Sequence, residues 1–178
     1  MKEFNLSTNQ LKEHIDELSA GDKVLLSGII YTSRDAAHKK IVNLIMENQP
    51  LPFNIKGATI YYAGPTPAKD YDIIGSCGPT TSSRMDPYSP LLLDKGLICM
   101  IGKGPRSKEV IDAIKRNNAI YLCAIGGAGA LASQSIKKCE VIAFQELGCE
   151  SVKKLEIKDF PLIVGIDNKG ESIFEKNN

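Results

Sequence analysis

The chain of 178 residues has no tryptophan, only two histidines, and little aromatic content at 6%. With His14 on an amphipathic stretch facing solvent, the histidines leave no basis for a Ser-His-Asp arrangement. The five cysteines, at 77, 99, 123, 139 and 149, include no C-x-x-C pair from which a zinc or iron–sulphur site could start. No metal site is legible elsewhere. Charge of one sign is not in excess either. The net charge is +1, and the basic residues are scattered as doublets (Lys39-Lys40, Lys137-Lys138, Lys153-Lys154). Bulk attraction to nucleic acid or an anionic membrane is therefore not expected. No apolar run approaches the roughly 18 residues of a membrane span. Met1-Lys2-Glu3-Phe4 leads into a polar amphipathic segment unlike a signal peptide, so a cytoplasmic location is expected.

What is present suits one globular domain over residues 1–178, with 43% apolar residues, 15 glycines and 9 prolines. No repeat or low-complexity tract divides it. Ser7 and Gln10 form a capping-box pattern that opens a helix through Leu11, Ile15 and Leu18, stopping at Ala20-Gly21-Asp22. Residues 23–31 read as a strand. Thr32-Ser33 supply N-cap oxygens for a helix to about Asn48, with Ala37, Ile41, Leu44 and Ile45 inward. Further strands are expected over 58–63, 97–101, 119–125, 139–144, 152–157 and 162–167. A short helix opens at Ser89-Pro90 and ends at Gly96, and Ser107 caps another bearing Val110, Ile111 and Ile114. Strand and helix alternate, then strands dominate. That pattern predicts a layered α/β domain with a mixed sheet.

The most informative segment is Gly75-Ser76-Cys77-Gly78-Pro79-Thr80-Thr81-Ser82-Ser83-Arg84-Met85-Asp86. It gathers backbone N–H groups, hydroxyls and one guanidinium, an inventory suited to a carboxylate or phosphate and also found in ordinary polar turns. Two other loops keep it company: Thr32-Ser33-Arg34-Asp35-Ala36-Ala37-His38 and Gly102-Lys103-Gly104-Pro105-Arg106-Ser107. Loops at the carboxyl ends of strands converge on the ligand crevice of an α/β sheet. Helix N-termini, two arginines and a lysine meeting there would hold a small dianion.

Each residue also has a plainer reading. Arg34 and His38, four apart, either face one ligand together, or Arg34 pairs with Asp35 or a nearby carboxylate beside a half-exposed histidine. Lys103 between glycines resembles a phosphate loop without its G-x-x-x-x-G-K-S/T pattern, and a solvated turn lysine is the alternative. Gly126-Gly127-Ala128-Gly129 lacks the dinucleotide fingerprint and reads as close backbone packing. Among the aspartates that could be imagined as a base, Asp35, Asp70, Asp72 and Asp86, the last precedes Pro87 and reads as a turn residue. Cys99, Cys123 and Cys139 lie in apolar runs and read as buried, inert thiols. Cys77 differs in lying inside the polar loop.

Five motifs in order carry a resemblance. They are Tyr31-Thr32-Ser33-Arg34-Asp35-Ala36-Ala37-His38, Tyr62-Ala63-Gly64-Pro65, the segment from Gly75 to Met85, Ile101-Gly102-Lys103-Gly104, and Ile125-Gly126-Gly127-Ala128-Gly129-Ala130. The chain, over about residues 5 to 175, resembles the β subunit of class I fumarate hydratase. The wider family is the iron–sulphur hydro-lyases, which include L(+)-tartrate dehydratase. The resemblance implies a swivelling β/β/α fold. It implies a partner α subunit, or an N-terminal domain in fused enzymes, that holds a [4Fe–4S] cluster, so that this chain holds no metal itself. It places Arg34, Arg84 and Lys103 as ligands of the substrate carboxylates and Thr80 as a participant in proton transfer. No role is carried over for His38. Ser82-Ser83 depart from the family's usual small residue, often glycine.

The implied function is half of a hydro-lyase that hydrates fumarate to L-malate, active only with the α subunit in an α2β2-like assembly. A tartrate dehydratase β subunit is the alternative within the family. Outside it stand a free-standing anion-binding module and a phosphate- or nucleotide-binding enzyme using the Lys103 loop. An alcohol such as Thr80 needs a carboxylate to relay its proton, and this sequence does not visibly provide one.

Overall fold

The computed structural model describes residues 1–124 and 129–175. Val24, Leu26 and Ile30 are fully buried, at the even spacing of a strand with one covered face. That strand, β2 (Lys23–Thr32), is the hub. β1 (Glu3–Ser7) and β3 (Thr59–Tyr61) pair with it in parallel, and β7 (Val152–Ile166) antiparallel along its other side. The parallel run continues from β3 to β4 (Cys99–Gly102) and β5 (Ile120–Ala124), and β5 closes onto β7. Five strands, β2, β3, β4, β5 and β7, thus join into a barrel-like ring. β6 (Ile136–Ala143) pairs with the first half of β7. Among the described residues these seven strands form one mixed sheet.

Alternation divides the apolar residues into two cores. Tyr61, Cys99, Ile101, Ile120 and Leu122 point into the ring with Val24, Leu26, Leu155 and Val164. Their neighbours Ile60, Tyr62, Met100 and Tyr121 point outward beneath helices. Those helices are α2 (Asp35–Met46), α3 (Ser89–Asp94) and α4 (Lys108–Arg116), which contribute Ile41, Leu92, Leu93, Val110 and Ile114 to the outer core. Each such aliphatic side chain stabilises the fold by about 1.5–3 kcal/mol when fully buried. Ser107 caps α4 as expected, its Oγ accepting from Val110 N at 3.3 Å.

The departures from expectation have local causes. The first helix is broken into α1 (Leu11–His14) between 3-10 turns at Thr8–Gln10 and Ile15–Glu17, though Leu11, Ile15 and Leu18 are buried. β1 was not anticipated, because five residues with one buried side chain, Leu6, leave little periodic signal. The N-cap of α2 is Arg34, not Thr32 or Ser33. Thr32 belongs to β2, where its Oγ1 accepts from Lys153 N at 3.1 Å, and Ser33 Oγ lies 2.7 Å from His38 Nδ1. β7 is one strand of 15 residues where two short ones were expected. Asp159, at φ +50°, and Pro161 look like a break, but a register shift between Leu26 and Gly28 absorbs the irregularity. α5 (Gly129–Ser135), short and with two serines among its seven residues, carries too little periodic signal to be read from the sequence. Residues 125–128 of the expected 119–125 strand and of the glycine motif lie outside the described residues. At Gly129 close packing holds, since a Cβ there would strike Ser76 Oγ.

Candidate anion-binding site

β2, β3 and β4 are parallel neighbours, so their carboxyl ends open at the same end of the ring. β2 delivers Arg34 and Asp35, β3 leads through Tyr62 to Gly64, and β4 delivers Lys103. The Thr80–Arg84 segment is laid across these ends by backbone bonds. Thr80 N donates to Tyr62 O at 2.7 Å and Ser82 N to Lys103 O at 2.9 Å. Thr81 forms a parallel bridge with Lys103. Gly102 makes this approach possible, because a Cβ there would strike Ser82 Oγ and stand 2.8 Å from Tyr62. Tyr121 Oη donates to Gly104 O at 2.8 Å and shares a 2.7 Å hydrogen bond with Ser82 Oγ, tying the two loops from below.

The two arginines meet on one carboxylate. Arg84 holds Asp35 by one hydrogen bond, Nε donating to Oδ1 at 3.0 Å, and by an ion pair in which Nη2 lies 2.9 Å from Oδ2. Arg34 Nε lies 4.0 Å from the same Oδ2 and 3.9 Å from Glu150 Oε1. Arg34 rests on Gly64, where a Cβ would come within 2.9 Å of its Cδ and Nη1. Glu150 Oε1 also accepts from Ala36 N at 3.4 Å, at the electropositive start of α2. Lys103 is exposed and makes no ion pair among the described residues. Thr80 is half-buried. Arg34, Arg84 and Lys103 thus lie on loops at one end of the ring with two carboxylates, Asp35 and Glu150, so that cations outnumber carboxylates by one.

The pairing of Arg34 with Asp35 is present, but Asp35 engages Arg84 more closely. The expectation of Arg34 and His38 facing one ligand fails, as does that of a half-exposed histidine. Arg34 precedes α2, whereas His38 is fully buried, 5.4 Å from the Tyr62 ring and 5.9 Å from Tyr88. Its Nδ1 lies 2.9 Å from Arg34 O, an acceptor, so Nδ1 carries the proton. Burial lowers the His38 pKa to about 4, keeping the ring neutral at physiological pH.

Asp86 is no simple turn residue. Its Oδ1 accepts from Arg106 Nε at 2.7 Å and its Oδ2 from Ser107 N at 2.8 Å. The Arg106 guanidinium is fully buried between the Tyr62 and Tyr121 rings, 5.1 and 4.9 Å away, and donates to Ser89 Oγ and Tyr62 Oη. Burial alone would lower the Arg106 pKa, but Tyr62 and Asp86 outweigh it and raise it. Neither this pair nor Glu150 was legible, since their partners lie 20 or more residues away in sequence.

Cys77 is buried, with a thiol pushed up to about 12 chiefly by burial, so its place in a polar loop does not make it reactive. Cys99 and Cys123 are buried as expected, but Cys139 is only partly covered, on the β6 edge. Among the described residues, no three His, Cys, Asp or Glu side chains gather as a metal site. These residues do not fit a [4Fe–4S] cluster. A cleft of about 590 Å³ lined by Thr66, Tyr71, Ile74, Ser133 and Lys137 lies beside the long loop after β3, and none of Arg34, Thr80, Arg84 or Lys103 lines it. Among the described residues no helix is long and apolar enough to cross a membrane.

Fumarate hydratase 2 of Leishmania major is 40% identical over 170 residues, covering 94% of this chain and 30% of that protein. The anaerobic class I fumarate hydratase of Escherichia coli K12 is 39% identical over 176 residues, covering 98% and 32% respectively. The chain thus spans about a third of the length of these fumarate hydratases. It spans far more of a putative L(+)-tartrate dehydratase subunit beta from Methanocaldococcus jannaschii, which is 40% identical over 94% of this chain and 89% of its own length. The family model described as Fumarase C-terminus matches residues 1–177, so with its motifs riding on the strand ends of one mixed sheet the chain belongs to the fumarase C-terminal family.

Proposed function

We propose that this chain is the β subunit of a two-subunit iron–sulphur hydro-lyase that reversibly hydrates fumarate to L-malate, in the cytoplasm, with L(+)-tartrate as the alternative substrate. The convergence of Arg34 and Arg84 on one carboxylate beside Lys103 carries this reading, because the same donors suit the carboxylates of a C4 dicarboxylate. The match across nine-tenths of a relative named subunit beta supports a separate partner. In this proposal that α subunit holds the [4Fe–4S] cluster, for which the described residues of this chain offer no fitting ligand set, and the two subunits assemble in an α2β2-like complex.

In this reading Arg34, Arg84 and Lys103 clamp the dicarboxylate and stabilise the charge that builds on the carboxylate next to the deprotonated carbon. Thr80, fixed through its N–H to Tyr62 O, presents its hydroxyl for proton transfer, relayed to a carboxylate of the partner. The test is anaerobic co-expression with a cluster-bearing partner, followed by turnover of fumarate and of L(+)-tartrate. The expected result is activity in proportion to complex formed, none from this chain alone, and loss of most turnover in Thr80→Val but not in Thr81→Val. Brown colour and hydratase activity from this polypeptide by itself would overturn the proposal.

A further inference from the structure

We propose that Asp35 is a positioning residue of this site: it occupies one edge of the Arg84 guanidinium and thereby decides which edge meets a ligand carboxylate. The inference rests on the hydro-lyase reading for its substrate but not for its geometry. A guanidinium has five N–H donors in a planar fork and can seat a carboxylate on more than one edge. Asp35 sits on the edge formed by Nε and Nη2, its Oδ1 accepting from Nε at 3.0 Å and its Oδ2 ion-paired with Nη2 at 2.9 Å. Nη1 and the outer N–H of Nη2 are left for a second anion. The Arg84 side chain is 51% exposed, so little else restrains it.

Asp35 is placed for this task by the chain's own course. It is the first residue of α2, where the helix start favours a carboxylate, directly after Arg34. Its Oδ2 faces both arginines, and without it Glu150, 3.9 Å from Arg34 Nε, would be the carboxylate left beside the two guanidiniums. Oδ2 and Arg34 Nε are both buried atoms without a hydrogen-bond partner, 4.0 Å apart. A small shift of Arg34 closes that gap, so the carboxylate orients Arg84 through a formed hydrogen bond and only approaches Arg34. One arginine is preset and the other is left to adjust to the ligand.

The test uses Asp35→Ala and Asp35→Asn in the assembled complex, each with and without Arg84→Ala. Asn keeps the volume, but its amide sets an N–H donor against the Arg84 fork. Both single variants are expected to raise KM for the dicarboxylate about tenfold or more while kcat changes less than about threefold, the split expected when uniform binding is lost. In the Arg84→Ala background the Asp35 effect should vanish, because Asp35 acts through Arg84. A KM within twofold of wild type, or additive effects in the double variants, would overturn the proposal. Independently of activity, the Arg84 Nε–H resonance of the purified chain should be dispersed in wild type and collapse to the solvent-exposed position in Asp35→Ala. An unchanged resonance also overturns it. A wild-type complex inactive on both dicarboxylates would count against the hydro-lyase reading, and this resonance would still decide the role of Asp35.

Discussion

Two arginine–aspartate pairs lie within a few residues of each other in this molecule, and they have opposite surroundings. Arg106 and Asp86 are closed in: the guanidinium is fully buried, stacked by two tyrosines, and Ser89, Tyr62 and Ser107 N complete the network. Arg84 and Asp35 are open: the arginine is half exposed and its outer donors face solvent. A buried pair is a structural commitment, because neither partner can be removed without stranding the other in low dielectric. An open pair with spare donors binds its counter-ion weakly and can serve a ligand. The same residue types therefore do different work, and burial decides which.

The sharpest way to break the comparison is to truncate each pair and measure unfolding in urea. Arg106→Ala or Asp86→Ala should cost about 3–5 kcal/mol, enough to threaten folding altogether. Recovery of wild-type stability in either would show that the network does not hold the Lys103 and Arg84 loops together.

His38 supplies a second, pH-dependent test of what burial does on the same side of the sheet. Its folded pKa of about 4 lies below the unfolded value, so above about pH 6.5 both states are neutral and its contribution is complete. As pH falls from about 6.5 to 4 only the unfolded state takes up the proton, and stability should drop by on the order of 3 kcal/mol in total. Below pH 4 no further loss is due to this group. An NMR titration of the ring should show a midpoint near 4. A midpoint near 6.5 would mean that the ring is solvated and does not brace Arg34 O.

The open cluster should answer in function instead. Arg34→Ala and Arg84→Ala are each expected to lower kcat/KM of the assembled enzyme about tenfold to more than a hundredfold, or about 1.5–3 kcal/mol. Arg→Lys should recover only part, since a point charge cannot reproduce the fork. Near wild-type kcat/KM in either alanine variant would remove that residue from the site.

The smallest effect belongs to the open pair's stability. Arg84→Ala and Asp35→Ala should each change unfolding free energy by less than about 1 kcal/mol, as exposed ion pairs do. A loss comparable to that of Asp86→Ala would erase the distinction between the two pairs.

The sequence alone determined the alternating apolar pattern, and so the place of most strands along the chain, the α4 cap at Ser107 and the mixed α/β class. It also marked the three polar loops, because hydroxyls, glycines and cations cluster in ways that need no distant partner to be noticed. Only the tertiary structure decided which arginine is which. Arg84 meets Asp35 across 49 residues, and Arg106 meets Asp86 across 20. Closure of β7 onto both β2 and β5 likewise joins segments more than a hundred residues apart in the first case and about forty in the second. Such pairings leave no local period. They are set by which groups lose water together when the ring closes, and that is a property of the folded chain rather than of any window along it.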